Sequence, residues 1–231
     1  MKIKKLTWDS NFFQKNIGEL HVENAHLENP VLENFDLIVL KQKEDFEVQI
    51  PPYTQTFKET KVVFEKKLTT ENLIDFSEIE DTDKEGKSFA FFRKLAYESG
   101  KHSRFLLDEN FGTEKFRKLY DEWIINSLNK KFAIKTFYLQ FQEKAVGFVT
   151  IQQSENIGKI GLIATSREFQ GKGFGKKLLL FAENYCLKNG MNIMEIPTQK
   201  ENHGACIFYE KLGYKIKEEL IIKHFWKHDP I

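Results

Sequence analysis

A glycine-rich turn between an apolar strand and an amphipathic helix constrains this chain more than any other stretch. The run from 158 to 176 reads as a short buried strand, a tight turn with Gly171, Gly173 and Gly175, and a helix. Glycines at alternate positions open the backbone to a ligand and permit positive φ angles. One face of the helix is apolar and consists of Phe174, Leu178, Phe181, Ala182 and Tyr185. The unpaired N–H groups and the dipole of such a helix start predict an anion site.

The spacing of these glycines excludes two common phosphate-binding turns. The nucleoside-triphosphate loop Gly-x-x-x-x-Gly-Lys-Ser/Thr is missing, and the dinucleotide fingerprint would need a glycine where Lys176 stands. The turn does fit Gln/Arg-x-x-Gly-x-Gly, through Gln170, Gly173 and Gly175. This pattern resembles the pyrophosphate-binding turn of the GNAT superfamily of acetyl-CoA-dependent N-acetyltransferases. The alternative is a turn that only caps its helix.

Composition narrows the function classes. Lys+Arg number 35 and Asp+Glu 34, so the net charge of +1 gives no bulk attraction for nucleic acid or an anionic membrane. The first residues lack the apolar run of a signal peptide, and no apolar run approaches the roughly 20 residues of a membrane span. Cys186 and Cys206 have no metal-like spacing, so we expect free thiols, no metal and a cytoplasmic protein.

The order of predicted elements favours an α+β fold with a mixed, mostly antiparallel sheet flanked by helices. From residue 61 onward we predict strand, helix, helix, three strands, helix, strand, helix and strand. The predicted strands cover 61–68, 134–141, 145–153, 157–165, 192–197 and 214–226. The predicted helices cover 85–100, 113–130, the residues after the glycine turn, and 201–212. This succession resembles the GNAT acyl-CoA N-acyltransferase fold.

The N-terminal part is predicted to stand apart from that fold. Residues 1–60 are interpreted as an irregular, β-rich extension or small subdomain, and 61–231 as the acetyltransferase domain. The extension could complete the sheet, cover the acceptor site or form a homodimer interface. The loop 99–111 is too long and too aromatic for a plain connection.

Further motifs strengthen and narrow the resemblance. Ala145-Val-Gly-Phe-Val149 and Asn202-x-x-Ala205-x-x-Phe208-Tyr209 match two stretches of the GNAT pattern. Within that superfamily, Trp8-Asp-Ser-x-Phe-Phe13, Ser103-Arg-Phe105 and Phe116-Arg-x-x-Tyr-x-x-Trp123 resemble dTDP-fucosamine acetyltransferases. Those enzymes acetylate the 4-amino group of a dTDP-linked 4-amino-4,6-dideoxygalactose. The resemblance thus implies a small amine acceptor, with a nucleotide sugar as the specific expectation.

The resemblance also implies the residues that bind the co-substrate acetyl-CoA. They are Ile163, Ala164, Thr165, Gln170, Gly171, Lys172, Gly173, Phe174, Gly175, Lys176 and Asn202. The strand would pair with the pantetheine arm like an added strand, and the N–H of Ala164 or a neighbour would bond the thioester oxygen. The turn would bind through its backbone, whereas the side chains of Phe174 and Lys176 serve the helix. Asn202 could instead cap its helix.

Tyr209 is the predicted catalytic acid, by its place in the late motif. A phenol with a pKa near 10 stays protonated at neutral pH and matches a thiolate with a pKa of about 8.5. The alternative is an ordinary core tyrosine. For the amine's proton, Glu195, Glu168, His203 and ordered water remain open.

The acceptor is expected opposite the cofactor, under the first two helices. The candidate binding residues are Tyr97, His102, Arg104 and Trp123. Arg104 suits a phosphate through bidentate hydrogen bonds, and each candidate could instead be a core or solvated residue. Two functional alternatives stay open: an acetyltransferase acting on a protein amine, amino acid or aminoglycoside, and a module that binds acyl-CoA without catalysis.

Overall fold

The computed structural model describes residues 3–23, 34–83 and 89–227. In these ranges the helices are α1 (Thr7–Phe13), α2 (Phe89–Ser99), α3 (Arg104–Leu107), α4 (Thr113–Leu128), α5 (Phe174–Lys188) and α6 (His203–Lys211). The strands are β1 (Lys4–Lys5), β2 (Ile17–His21), β3 (Leu37–Gln42), β4 (Tyr53–Lys67), β5 (Ile79–Asp81), β6 (Lys135–Phe141), β7 (Lys144–Ser154), β8 (Ile157–Thr165), β9 (Ile193–Gln199) and β10 (Lys215–Lys227). A 3₁₀ turn at Arg167–Phe169 precedes α5.

The described strands form a single sheet in the order β1-β2-β3-β10-β4-β9-β8-β7-β6-β5. The pairs β2/β3 and β8/β9 are parallel, and the other neighbours are antiparallel. The predicted mixed, mostly antiparallel sheet is therefore confirmed. The predicted strands and helices from residue 61 onward are also found, although residues 85–88 of the first predicted helix lie outside the described residues.

Each face of the sheet carries its own apolar core. Side chains of α1, α2, α3 and α4 pack on one face, around residues such as Phe92, Phe105 and Ile124. Side chains of α5 and α6 pack on the other face with Phe64 and Leu179. Burial of aromatic and aliphatic side chains on both faces supplies most of the favourable free energy of folding.

The N-terminal residues belong to the same sheet as the rest of the chain. The predicted boundary between 60 and 61 falls inside β4, which is continuous from Tyr53 to Lys67. Strand β10 pairs with β4 along its length and with β3 through its second half. The described residues among 1–60 therefore extend the sheet with β1, β2, β3 and the first part of β4.

One local expectation needs correction, and the structure adds detail to two others. Residues 7–13, interpreted as irregular, form α1, because Phe13 is buried between Phe105 and Phe111 and tertiary packing stabilises a short helix. The loop 99–111 contains α3. The second long helix is capped by Gly112, and Thr113 is its first residue.

Across the described ranges, no helix is both long and apolar enough to cross a membrane. Both cysteines are free thiols.

Candidate functional site

Strands β8 and β9 separate part of the way along the sheet. They pair only from Ile157 to Lys159 on β8. Backbone bonds from Lys200 N to Thr60 O and from Leu68 N to Asn192 O, both 2.8 Å, show which way β9 faces. By the alternation of an antiparallel ladder, the backbone nitrogen of Pro197 points toward β8. Because proline has no N–H, β9 cannot donate a hydrogen bond there, and this favours the gap.

The free backbone groups of β8 in this gap can be identified. Ser166 N–H donates to Val146 O at 2.8 Å, and Leu162 N–H donates to Thr150 Oγ1 at 2.7 Å. The same alternation turns the N–H of Ala164 toward β7 and leaves those of Ile163 and Thr165 facing the gap. Since Thr165 O already accepts from Gln170 Nε2 at 3.2 Å, Ile163 offers the open donor and acceptor.

The backbone of the glycine turn that precedes α5 is accessible to a ligand. Gly171 and Gly173 have φ angles of 77° and 85°, and an added Cβ would meet nothing within 4 Å at either position. Gly173 caps α5 without a side-chain hydrogen bond, so the first N–H groups of the helix face outward. Phe174 instead packs on Phe141 at 5.1 Å between ring centroids, and Lys172 Nζ lies 4.9 Å from the centroid of Phe169. These two side chains serve packing.

The gap, the turn and α6 border a cavity of about 1260 Å³. Most of the predicted site residues line it, namely Ile163, Ala164, Thr165, Gln170, Gly171, Gly173, Gly175, Lys176, Asn202, Tyr209, Arg104 and Trp123. Lys172, Phe174, Tyr97 and His102 do not line it. Tyr97 donates its hydroxyl hydrogen to Asp121 at 2.6 Å and accepts from Arg93, so it belongs to an ion-pair network on the outer face of α2 and α4. Tyr97 and His102, expected to contact the acceptor, therefore lie outside the lining of this cavity.

Tyr209 enters the cavity from the α6 side of the sheet. Its side chain is 5% exposed and packs against Phe64 at 5.5 Å and Tyr214 at 6.1 Å between ring centroids. In the part of the chain that the structure describes, its hydroxyl has no hydrogen-bond partner. Burial raises the pKa of this phenol, so it holds its proton at neutral pH. Asn202 caps α6, accepting from Ala205 N–H at 3.4 Å, and also borders the cavity.

Glu59 enters the same cavity from the opposite face of the sheet. It is 5% exposed, and its Oε2 has no partner among the described residues. Burial raises its pKa to about 7, while the charge of Arg104 opposes the rise. A carboxyl group with this pKa can take a proton near neutral pH.

The sequence analysis missed Glu59 because the predicted boundary separated it from the strand beyond residue 60. One signal could have revealed it: in an extended strand Glu59 lies on the same face as Phe57, so the pattern places its carboxylate beside an aromatic ring. The bases considered earlier fit less well. Glu195 accepts a hydrogen bond from Lys217 Nζ at 2.6 Å. Burial raises the pKa of Glu195, but this bond and the charge of Lys159 outweigh burial and hold the pKa below its ordinary value. Glu168 and His203 are exposed.

Positive charge surrounds the Glu59 end of the cavity. Arg104, Lys61 and Lys159 line it, and Lys159 lies 3.4 Å from Glu195. Among residues 3–23, 34–83 and 89–227, neither Arg104 nor Lys61 has an ion-pair partner. Arg104 extends across the ring of Phe105, 4.8 Å from its centroid. Unpaired cations beside one buried carboxyl group favour a ligand that is negatively charged away from its reacting group.

Comparison with known proteins agrees with this architecture. The model of the acetyltransferase (GNAT) family matches residues 92–214, more than half of the chain. An uncharacterized N-acetyltransferase of Methanocaldococcus jannaschii is 30% identical over 109 residues, which are 44% of this chain and 48% of that protein. The chain thus spans about half the length of the curated relative that it matches.

Solved structures share the fold at low sequence identity. A putative GNAT acetyltransferase from Novosphingobium aromaticivorans has a TM-score of 0.56 at 12% identity, covering 84% of this chain and 75% of that one. A protein of unknown function from Staphylococcus epidermidis has a TM-score of 0.57 at 10% identity, covering 84% and 74%. These matches show the GNAT fold.

Proposed function

Because the chain belongs to the GNAT acetyltransferase family, we propose that it transfers the acetyl group of acetyl-CoA to the primary amine of a small, negatively charged acceptor. Enzymes of this family use acetyl-CoA as co-substrate. The observation that carries the proposal is the cavity itself, because it joins the β8/β9 gap, Tyr209 from one face of the sheet and Glu59 from the other.

The residues present fit acetyl-CoA. The pyrophosphate would lie against the N–H groups of the Gly171–Gly175 turn and the first turn of α5, where the helix dipole favours negative charge. The pantetheine arm would donate to the free carbonyl oxygen of Ile163 in the gap, which leaves the N–H of Ile163 for the thioester oxygen. Lys176 and Lys211 also line the cavity and add positive charge beside this path. Gln170, where arginine is commoner in this motif, closes the turn through its bond to Thr165 O.

Starting from an ammonium group, two protons leave the nitrogen and one reaches the sulfur. Glu59, through Oε2, takes a proton from the acceptor's ammonium group, so that a neutral amine attacks the thioester carbonyl. As the new C–N bond forms and the C–S bond breaks, the hydroxyl of Tyr209 donates its proton to the departing thiolate. The second nitrogen proton passes to solvent water after attack, and water returns a proton to the Tyr209 phenolate. The N–H of Ile163 faces the gap where the carbonyl oxygen gains charge, and stabilises it there.

A nucleotide-linked amino sugar fits the acceptor side best. Arg104 and Lys61 are unpaired cations in the described part of the chain and can bind a diphosphate, Arg104 through two parallel hydrogen bonds. Trp123 offers an aromatic face for a base or sugar ring. A dTDP-linked 4-amino-4,6-dideoxyhexose combines an amine, a diphosphate and a ring, and agrees with the motifs around Trp8, Arg104 and Trp123.

The test measures thiol release from acetyl-CoA with a panel of amines at equal concentration. The panel holds a dTDP-4-amino-sugar, the same sugar without its nucleotide, an aminoglycoside, an amino acid and a lysine peptide. We expect kcat/KM for the nucleotide sugar to exceed the others by at least about 100-fold, and mass spectrometry to find one acetyl group on its amine. Equal rates with and without the nucleotide would refute the anionic acceptor, and absence of turnover with every amine would refute the transferase.

A further inference from the structure

A buried carboxylate links the segment that carries Arg104 to strand β10. Asp108, which ends α3, is 2% exposed. Its Oδ2 accepts from His224 Nδ1 at 2.6 Å and from Trp226 Nε1 at 2.8 Å. Both donors lie on β10, more than a hundred residues later in the chain. We call Asp108, His224 and Trp226 the buried anchor.

The buried anchor has a defined protonation state. A carboxylate oxygen only accepts, so His224 carries a hydrogen on Nδ1. His224 is 0% exposed, its Nε2 has no partner among the described residues, and burial lowers its pKa against the opposing effect of Asp108. A second proton on Nε2 would therefore be an unpaired buried donor. The rings of Phe57 at 5.2 Å and Phe111 at 5.6 Å enclose the imidazole.

The anchor is connected to Arg104 by one turn of helix. The N–H of Asp108 donates to the carbonyl oxygen of Arg104 at 2.9 Å. The second carboxylate oxygen of Asp108, Oδ1, accepts from Asn110 Nδ2, also at 2.9 Å. The carboxylate thus fixes the end of α3 on the sheet while Arg104, at the start, faces the cavity. Because α3 spans only four residues, its own hydrogen bonds contribute little to its placement. The packing of Phe105 in the core holds one side of α3, and this carboxylate fixes its end on β10.

We propose that Asp108 and His224 are positioning residues for the acceptor: they hold α3 on β10 so that the guanidinium of Arg104 meets the acceptor's negative charge. The inference rests on the proposed function, which gives Arg104 that role. Neither residue lines the cavity, so their effect passes through the backbone. A displacement of about 1 Å in a positioning group can cost an enzyme about 100-fold in rate.

The central experiment compares His224→Leu with His224→Asn. The side chains of leucine and asparagine are similar in size, but only the asparagine Nδ2 can take the place of His224 Nδ1 and donate to Asp108. For His224→Leu we expect the KM for the acceptor to rise about 20-fold, with the acetyl-CoA dissociation constant unchanged. His224→Asn should restore the acceptor KM to within about threefold of wild type.

A matched control separates positioning from general destabilisation. Asn184 on α5 is buried outside the cavity, where its side chain accepts from Asn72 N at 2.7 Å and donates to Asn72 O at 2.9 Å. Asn184→Leu removes buried hydrogen bonds as His224→Leu does, and we expect a lower melting temperature with an unchanged acceptor KM. An equal rise of the acceptor KM in Asn184→Leu would overturn the inference.

Arg104→Ala distinguishes failure of the inference from failure of the proposed function. If Arg104→Ala leaves the acceptor KM unchanged, the acceptor role of Arg104 is wrong, and the inference is wrong with it. If Arg104→Ala raises KM but His224→Leu does not, or if His224→Asn gives no rescue, only the inference is overturned. Should His224→Leu not fold, Trp226→Phe keeps a ring and removes one donor, and we expect about a threefold rise.

A readout that needs no turnover completes the test. Hydrogen exchange of peptides covering 100–112 reports the attachment of α3 directly. We expect exchange there to accelerate about tenfold or more in His224→Leu, and to stay near wild type in His224→Asn, with peptides covering 170–188 unchanged in both. Unaltered exchange over 100–112 in His224→Leu would overturn the inference even if no acceptor were known.

Discussion

The two walls of the cavity are built in opposite ways. The wall that would hold acetyl-CoA comes mainly from one continuous stretch, from Ile163 to Lys176, and offers backbone groups. The wall proposed to hold the acceptor, called the acceptor wall below, brings together side chains from separate elements, with Glu59 on β4, Arg104 on α3 and Trp123 on α4. The first wall depends on local conformation, and the second depends on the register of β4 and on the anchoring of α3.

This difference implies that substitutions in the two walls should change different properties of the enzyme. A substitution in the backbone-built wall changes the turn's conformational energy, and should affect cofactor affinity. A substitution in the side-chain wall removes a charge or proton acceptor, and should affect the chemical step or acceptor binding. Variants of the two walls can test this distinction by separating the rate, the acceptor KM and the acetyl-CoA affinity.

The largest effect is expected for Glu59→Gln. The amide keeps the shape of the side chain but cannot take a proton, so kcat/KM for the acceptor should fall about 10³-fold with acetyl-CoA affinity unchanged. In wild type, log kcat/KM should rise with pH and level off above about 7, the pKa of Glu59, whereas the variant should lack that inflection. Steady-state kinetics from about pH 5 to 9 measure both. Glu65→Gln, on the same strand outside the cavity, is the control, and a wild-type profile without an inflection near 7 would contradict the assignment.

The same substitution should stabilise the protein. Burial raises the pKa of Glu59 from its ordinary value of 4.5 to about 7 in the folded state, so the unfolded chain loses this proton at lower pH than the folded chain does. Folding stability therefore falls as pH rises from 4.5 to 7, by about 3 kcal/mol for this group. The Glu59→Gln variant does not lose this stability. Its free energy of unfolding should therefore exceed that of wild type by an amount that grows with pH and reaches a plateau near pH 8. Denaturant unfolding at about pH 4.5 and 8 measures it; a gain independent of pH would contradict it.

Tyr209→Phe comes next, with an expected fall in kcat of about 10²-fold. The phenyl ring keeps the packing on Phe64, while the proton for the thiolate is lost. Isothermal titration should find unchanged acetyl-CoA binding. Tyr185→Phe on α5, which does not line the cavity, is the control. A variant with full activity would show that Tyr209 only packs in the core, the alternative that the sequence left open.

The sequence could predict the continuous wall because neighbouring residues encode it. Alternate glycines, an apolar strand before them and a helical stripe after them indicated the turn, and the order of elements indicated the sheet. The acceptor wall could not be predicted in the same way. The role of Glu59 depends on β4 pairing with both β9 and β10, and Tyr97 resembled a pocket residue until its bond to Asp121 was visible. Both facts depend on long-range contacts that local patterns do not encode.

The smallest effect, and the sharpest test of the backbone-built wall, is expected for Gly173→Ala. Gly173 has a φ angle of 85°, a left-handed conformation that costs an L-residue about 1–2 kcal/mol, and nothing lies within 4 Å to clash with the added methyl group. The variant should relieve the strain by shifting the turn, which moves the first N–H groups of α5 away from the pyrophosphate. We expect the acetyl-CoA dissociation constant to rise about tenfold, and kcat at saturation to change less than about twofold.

Gly190→Ala is the matched control at the other end of α5. Gly190 has a φ angle of 79°, also with nothing within 4 Å, but it does not line the cavity. Both variants should lose a similar amount of stability, because the conformational strain is the same in kind. Only Gly173→Ala should lose cofactor affinity, as isothermal titration would show. If both variants bound acetyl-CoA as wild type does, the turn would serve the helix alone, and the backbone-built wall would have to lie elsewhere along the gap.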